Sequence, residues 1–240
     1  MDIYGRNAVL EYLRALEKGS GARLFISQHA HGKIINTICA ESRRACVEIE
    51  RVEKIFFEKL APSSVHQGVV LRVSQNLDAQ SDDAVMQNAA RSKGVLVFLD
   101  RLTDPHNVGS IIRTAEALGA HGVVVQKAHS APINPTVIKV SAGATAHMPV
   151  LEISNAGSFI EVARKAGFWI IGSAAQAEYT PDDLSGFLPA VLVIGSEGDG
   201  VRKSILEKCD RVVRIPLKGK VASLNASVAA GILLYHLLKQ

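Results

Sequence analysis

The stretch Gly94-Val95-Leu96-Val97-Phe98-Leu99-Asp100 opens the part of the chain whose reading decides the fold. Val95 to Leu99 is an unbroken apolar run, without the alternation of a strand that has one wet face. It predicts a strand covered on both sides, as in parallel sheets flanked by helices. A helix is expected next, over about Val108 to Leu118 and ended by Gly119, since glycine takes the left-handed conformation at a helix end without steric cost. Further strands read at Val123 to Gln126, Phe168 to Ser173, Ala190 to Gly195 and Val212 to Leu217. Helices read at about Pro135 to Ala146, Ser158 to Ala166, Val201 to Cys209 and Ser223 to Leu238. This alternation implies an α/β domain on a parallel sheet, placed at residues 93–240.

Upstream, residues 75–92 change character, with small polar residues followed by a weakly helical stretch and few apolar residues, and are expected to form a linker. Residues 1–74 read as a smaller α/β unit. Its first helix is capped at Asn7, carries Val9, Leu13 and Leu16 on one face and closes at Gly19. Strands follow at Ala22 to Ser27, around Val47 and Ile49, and at Gln67 to Val73, with helices at Lys33 to Arg44 and Glu53 to Leu60.

The composition is ordinary globular material, 48% hydrophobic and 21% charged over 240 residues, so a packed core is expected. Aromatics make up only 5%, which argues against a surface gripping single strands by serial base stacking. A net charge of +4 permits an anionic partner without requiring one. Cys39, Cys46 and Cys209 are scattered, and neither cysteines nor histidines show ligand spacing, so no disulfide framework and no metal site is expected. The start lacks a signal-peptide layout, and the longest apolar run, near Ile232 to Leu238, is too short to span a bilayer. A soluble cytoplasmic protein is expected, with no membrane association.

Ligands of open parallel sheets bind beyond the carboxyl ends of the strands, and three such ends carry unusual polar or Gly-rich loops. The first is Asp100-Arg101-Leu102-Thr103-Asp104-Pro105-His106-Asn107-Val108-Gly109-Ser110, with Arg113 downstream. On spacing alone Asn107 reads as a helix cap and Arg113 as a solvated arginine; alternatively Arg113 turns into the crevice toward phosphate or ribose. The second is Gly195-Ser196-Glu197-Gly198-Asp199-Gly200, which fits neither the dinucleotide fingerprint nor a phosphate-cradling P-loop. The third runs from Ile215-Pro216 to Ser223-Leu224-Asn225, with Ser223 placed to cap a helix and Asn225 a candidate buried amide in need of partners.

In this order the three loops resemble the signature motifs of the SpoU (TrmH-like) family of RNA 2′-O-ribose methyltransferases, over residues 95–240. Ser130-Ala131-Pro132-Ile133-Asn134-Pro135 and Val140-Ser141-Ala142-Gly143-Ala144 extend the likeness. Ile3-Tyr4-Gly5-Arg6-Asn7-Ala8-Val9 and His66-Gln67-Gly68 are similar to the L30e-like RNA substrate-binding domain that precedes it. The layout is most similar to the type that methylates a guanosine ribose in bacterial 23S rRNA. The resemblance implies a deep C-terminal trefoil knot, a homodimer through the catalytic domain and S-adenosyl-L-methionine as cofactor. It places Gly195, Ile215 and Leu224 against the cofactor, and Asn107, Arg113, Glu197, Ser223 and Asn225 in the catalytic neighbourhood. One departure is Ala226, where the family usually has a larger aliphatic residue.

A guanidinium is a poor base at neutral pH, so the expectation for Arg113 is phosphate anchoring and alkoxide stabilisation, with the base left open. Arg43, Arg44, Arg202, Lys203, Lys218 and Lys220 are candidate phosphate contacts. The competing expectations are a tRNA or organellar rRNA 2′-O-methyltransferase and a catalytically silent RNA-binding relative.

Overall fold

The computed structural model describes residues 1–60, 66–73 and 81–239. The described backbone falls into two compact units, Met1–Ala79 with Ile133–His147, and Gln80–Pro132 with Met148–Gln240. In chain order the elements are β1 (Asp2–Tyr4), α1 (Arg6–Ala15), β2 (Arg23–Ser27), α2 (Lys33–Arg44), β3 (Glu48–Val52), α3 (Lys54–Leu60) and β4 (Val69–Arg72). Next come α4 (Asp82–Arg91), β5 (Val95–Asp100), α5 (Pro105–Ala117), β6 (Gly122–Gln126), α6 (Pro135–Val140) and β7 (Val150–Ile153). The chain ends with α7 (Ala156–Lys165), β8 (Trp169–Ser173), β9 (Ala190–Gly195), α8 (Lys203–Leu206), β10 (Arg211–Val213) and α9 (Ala226–Leu238).

The first unit is built on a sheet of order β1-β4-β2-β3, in which only β2 and β3 run parallel. Val9, Leu13, Leu24, Ile26, Ile35 and Ile38 form its main core, and Phe25, Val52, Phe57 and Val70 a smaller one. Helix α1 starts at Arg6 behind Gly5, whose φ of 94° is awkward for any other residue. Asn7 therefore lies inside the helix and does not cap it.

Segment 133–147 joins this unit although the sequence placed it in the catalytic domain. The expected helix from Pro135 to Ala146 stops at Val140: after the cap Ser141, Ala142 and Gly143 both adopt left-handed conformations, with φ of 54° and 90°, and turn their N–H groups back to Lys139 and Ile138. A Cβ at Gly143 would lie 2.9 Å from the Ala8 Cα. Ile138, fully buried, completes the core of the first unit.

In the second unit six parallel strands follow the order β10-β8-β9-β5-β6-β7. Every residue of β5, β6 and β9 is buried, as their apolar runs predict. Strand β7 escapes the sequence reading, since Val150–Ile153 places Glu152 among only three apolar residues. Of the expected linker, residues 75–80 lie outside the described residues. Residues 82–91 instead form α4, capped by Ser81, with Val85, Met86 and Ala89 packed into the core of the second unit.

From β5 the chain turns to β6, whereas from β9 it leaves the other way, past β8 to β10. Adjacent strands whose connections diverge open a crevice at their carboxyl ends, and the loops bearing Asn107 and Glu197 rise there. After edge strand β10 the chain comes back to the middle of the sheet. There α9 packs on α5, β5 and β9, with Gly231 close enough that a Cβ would sit 3.4 Å from Thr114 Cγ2. Among the described residues no helix is long and apolar enough to cross a membrane.

Candidate active site

Asp104, one turn earlier than the sequence suggested, caps α5 by accepting from the His106 backbone N–H at 3.0 Å. Pro105 fills the first helical position, where a missing N–H costs nothing. Asn107 is thereby freed from capping and held in the first turn, 5% exposed. Its Nδ2 donates to Glu197 Oε1 at 2.8 Å, and its Oδ1 accepts from Asn225 Nδ2 at 2.9 Å. Asn225 Nδ2 also donates to Glu197 Oε1, at 2.6 Å. Residues from all three loops thus close a hydrogen-bonded ring.

Asn225 reaches the ring by a different route from the one expected. It is exposed, not buried, and it is the N-cap of α9, accepting from the Ser227 N–H at 2.9 Å and the Ser227 hydroxyl at 2.6 Å. Capping fixes its Oδ1, and the Nδ2 then has one direction left. Ser223 does not cap; it lies exposed in the loop before α9.

The Glu197 turn is tied back by a pair of backbone bonds, Ser196 N–H to Gly200 O at 3.2 Å and Gly200 N–H to Ser196 O at 3.1 Å. A Cβ at Gly195 would stand 2.0 Å from the Gly200 carbonyl carbon, so only glycine allows this closure. Glu197 Oε1 takes both amide donors, while Oε2 makes no hydrogen bond among the described residues. One oxygen is fixed; the other is available to a ligand.

Beside the ring lies a cleft of about 610 Å³ lined by Gly195, Ile215 and Leu224, the three residues expected to meet the cofactor. Glu197, Asp199 and Ser223 also line it, with Arg214 and Lys220. The volume lies within the range of small-molecule sites. Apolar walls from Ile194, Val213 and Leu233 suit an adenosine, and the Asp199 carboxylate suits a sulfonium cation. S-Adenosylmethionine fits this lining.

Arg113 is not brought into the ring. It is exposed on α5 and makes no hydrogen bond or ion pair among the described residues. Two of the expected phosphate contacts are engaged elsewhere. Arg44 donates to the carbonyls of Leu13 at 2.8 Å and Arg14 at 3.0 Å and pairs with Glu41. Arg202 pairs with the fully buried Asp100 and with Gln126. Arg43, Lys203, Lys218 and Lys220 are exposed. The sequence reading gave Asp100 and Gln126 no role of their own; the signal was a polar residue closing each of two otherwise apolar central strands.

Three distant loops meeting in one ring beside a cofactor-sized cleft decide the comparison with known proteins. Residues 94–235 match the SpoU rRNA Methylase family. The chain belongs to that family of RNA methyltransferases, which use S-adenosylmethionine. Residues 3–79 match the RNA 2′-O ribose methyltransferase substrate-binding family. A Bacillus subtilis protein with the provisional name TrmH family tRNA/rRNA methyltransferase YacO is 36% identical, covering 99% of this chain and 95% of its own. The 23S rRNA (guanosine-2′-O-)-methyltransferase RlmB of Pectobacterium atrosepticum is 33% identical, covering 99% and 97% respectively. The SpoU methyltransferase AviRb of Streptomyces viridochromogenes, crystallised with AdoMet, superposes with a TM-score of 0.81 at 25% identity, covering 100% of this chain and 89% of its own. The parallel α/β fold expected from the sequence is the fold of these SpoU enzymes.

Proposed function

We propose that this SpoU methyltransferase methylates a ribose 2′-oxygen, and that its target is a guanosine in bacterial 23S rRNA. The observation that carries the reading is the Asn107–Glu197–Asn225 ring at the edge of the cleft. The target itself is favoured by the names of the RlmB relatives, 33% and 32% identical over nearly the whole chain.

When bound, S-adenosylmethionine supplies a methyl group already activated on a sulfonium. Gly195, Ile215 and Leu224 would hold it by backbone contact and apolar packing. Glu197 Oε2 accepts from a ribose hydroxyl, and Asn107 and Asn225 fix the carboxylate so that the hydroxyl is oriented before reaction. Orientation of this kind supplies a large part of a two-reactant barrier. Arg113, exposed and unengaged, anchors the phosphate next to the ribose and stabilises the developing alkoxide. Ser223 lines the cleft and contacts the substrate from the third loop.

The reading extends to assembly. Val228 and Tyr235, seven residues apart on α9, are 49% and 56% exposed, leaving apolar side chains on one face of the helix in solvent. They support a homodimer through the catalytic unit. Return of the chain from edge strand β10 to the middle of the sheet supports the knotted closure of the family, and a bacterial ribosomal RNA target supports a cytoplasmic enzyme. Purified protein with labelled cofactor should methylate unmodified 23S rRNA transcript at one guanosine, mapped by resistance of the neighbouring phosphodiester to alkali. Equal or greater labelling of tRNA transcripts would overturn the assignment of target.

A further inference from the structure

We infer that Asp100 and Arg202 form a buried brace that sets the positions of Asn107 and Glu197, and that they are positioning residues for methyl transfer. The inference rests on the proposed function, because it assigns the brace to the catalytic ring.

Asp100 ends β5 and is 0% exposed. A carboxylate in that position is tolerable only if its lone pairs are satisfied by donors, preferably charged ones. Arg202 provides them. Its backbone N–H donates to Oδ2 at 3.0 Å, its Nε to Oδ1 at 2.8 Å, and its Nη2 to the same Oδ1. The Nη2 donates in addition to Gln126 Oε1, at 2.9 Å, at the end of β6. Two strand ends, those of β5 and β6, are thereby tied to one guanidinium.

The connectivity gives the tie a purpose. Asp100 begins the loop that leads through the Asp104 cap to Asn107, and Arg202 follows the Glu197 turn directly after Gly200 and Val201. A bond between Asp100 and Arg202 therefore fixes the roots of the two loops whose tips meet at 2.8 Å. The planar guanidinium holds this geometry in a way that an ammonium, as a point charge, does not. Neither side chain lines the cofactor cleft. A brace acts on the transfer step and leaves cofactor binding alone; a residue needed only for folding would affect both together.

Two variants test this: Arg202→Lys, which keeps the charge and loses the fork, and the double variant Asp100→Leu/Arg202→Met, which removes both charges at similar volume. Cofactor affinity is read by calorimetry, turnover with saturating unmodified 23S rRNA transcript, and folding by thermal denaturation. The expected result is a dissociation constant for S-adenosylmethionine within about two-fold of the parent and a kcat lower by about 10-fold or more, in protein folded at the assay temperature. Turnover near the parent value in either folded variant overturns the inference. So does unfolding of the double variant, which makes the pair a requirement of the fold. A parent protein that binds no S-adenosylmethionine or methylates no RNA takes the inference down with the proposed function, and is distinguished because the unaltered chain itself fails.

Discussion

Asn225 Nδ2 donates to Glu197 Oε1 at 2.6 Å across two loops that leave different strands, while Asn225 Oδ1 caps α9. One side chain therefore does two jobs, and substitution can separate them. Asn225→Ala should lose both, with about 1 kcal/mol of stability gone through the cap and a large fall in kcat. Asn225→Asp keeps the cap but sets a second carboxylate against Glu197, where like charges disfavour double ionisation. Its melting temperature should stay near that of the parent, while its activity falls and partly recovers as pH drops and the pair shares a proton. Equal melting temperatures for both variants would refute the capping role.

Glu197 is fixed through Oε1 and open at Oε2. Glu197→Gln can keep both amide bonds on its carbonyl oxygen but replaces the open Oε2 acceptor with an NH2 donor, and Glu197→Ala removes the centre of the ring. Turnover should fall on the order of 10²-fold in the alanine variant and less in the glutamine variant. Cofactor affinity, measured separately by calorimetry, should change far less than turnover. A matching loss of affinity and turnover would move Glu197 from substrate orientation to cofactor binding.

Arg113 bears no structural duty in the chain, being exposed and unpaired among the described residues. Arg113→Ala should leave stability within about 0.5 kcal/mol of the parent, as surface substitutions usually do. Methyl transfer should collapse, and Arg113→Lys should recover part of it by restoring charge without the fork. Full kcat in the alanine variant at saturating RNA would remove Arg113 from the site.

Burial holds the His121 imidazole below the ordinary histidine range. Its Nε2 lies 2.7 Å from the Ser92 hydroxyl, its Nδ1 is buried without a partner among the described residues, and the ring occupies the space beside Gly94. Because the folded pKa is depressed, the unfolded chain binds the proton more readily. The stabilisation is fully present above the unfolded value of about 6.5 and is lost as pH falls through and below it, until the folded site protonates too. The melting temperature should therefore drop between pH 7.5 and 5.5, and drop less in His121→Leu. The His66 imidazole, also lowered by burial, stacks on Phe57 at 4.5 Å between ring centroids and adds a slope of the same sign. An identical slope in parent and variant would assign the acid sensitivity elsewhere.

The central strands were legible because burial on both faces leaves an unbroken apolar run, as in Val95 to Leu99. Asn107, Glu197 and Asn225 were grouped by the resemblance of the three loops, taken in order, to the SpoU motifs. Which side chain caps which helix was harder to see: Asp104 and Asn225 cap where Asn107 and Ser223 were expected. Neighbouring polar residues compete for the same backbone donors, and only the loop geometry decides. The roles of Arg202 and Asp100 were invisible for another reason. An arginine after a Gly-rich turn looks the same in sequence whether it meets a phosphate or a carboxylate a hundred residues away.

Gly195 and Gly198 stand in the same loop and make opposite demands. A Cβ at Gly195 would fall 2.0 Å from the Gly200 carbonyl carbon and 2.1 Å from the Val201 nitrogen, both backbone atoms that no rotamer change can move. A Cβ at Gly198 meets nothing within 4 Å. Gly195→Ala must push the turn open, break the paired Ser196–Gly200 bonds and displace both Glu197 and the wall of the cleft. Its affinity for S-adenosylmethionine should fall by about 10-fold or more, since a wall displaced by an ångström forfeits much of its contact energy. RNA retention on filters should persist, because the candidate phosphate contacts Arg43, Lys203, Lys218 and Lys220 lie outside the turn. Gly198→Ala should bind cofactor and turn over near the parent level. If Gly195→Ala binds cofactor as well as Gly198→Ala does, the cleft beside the ring is not where the methyl donor sits.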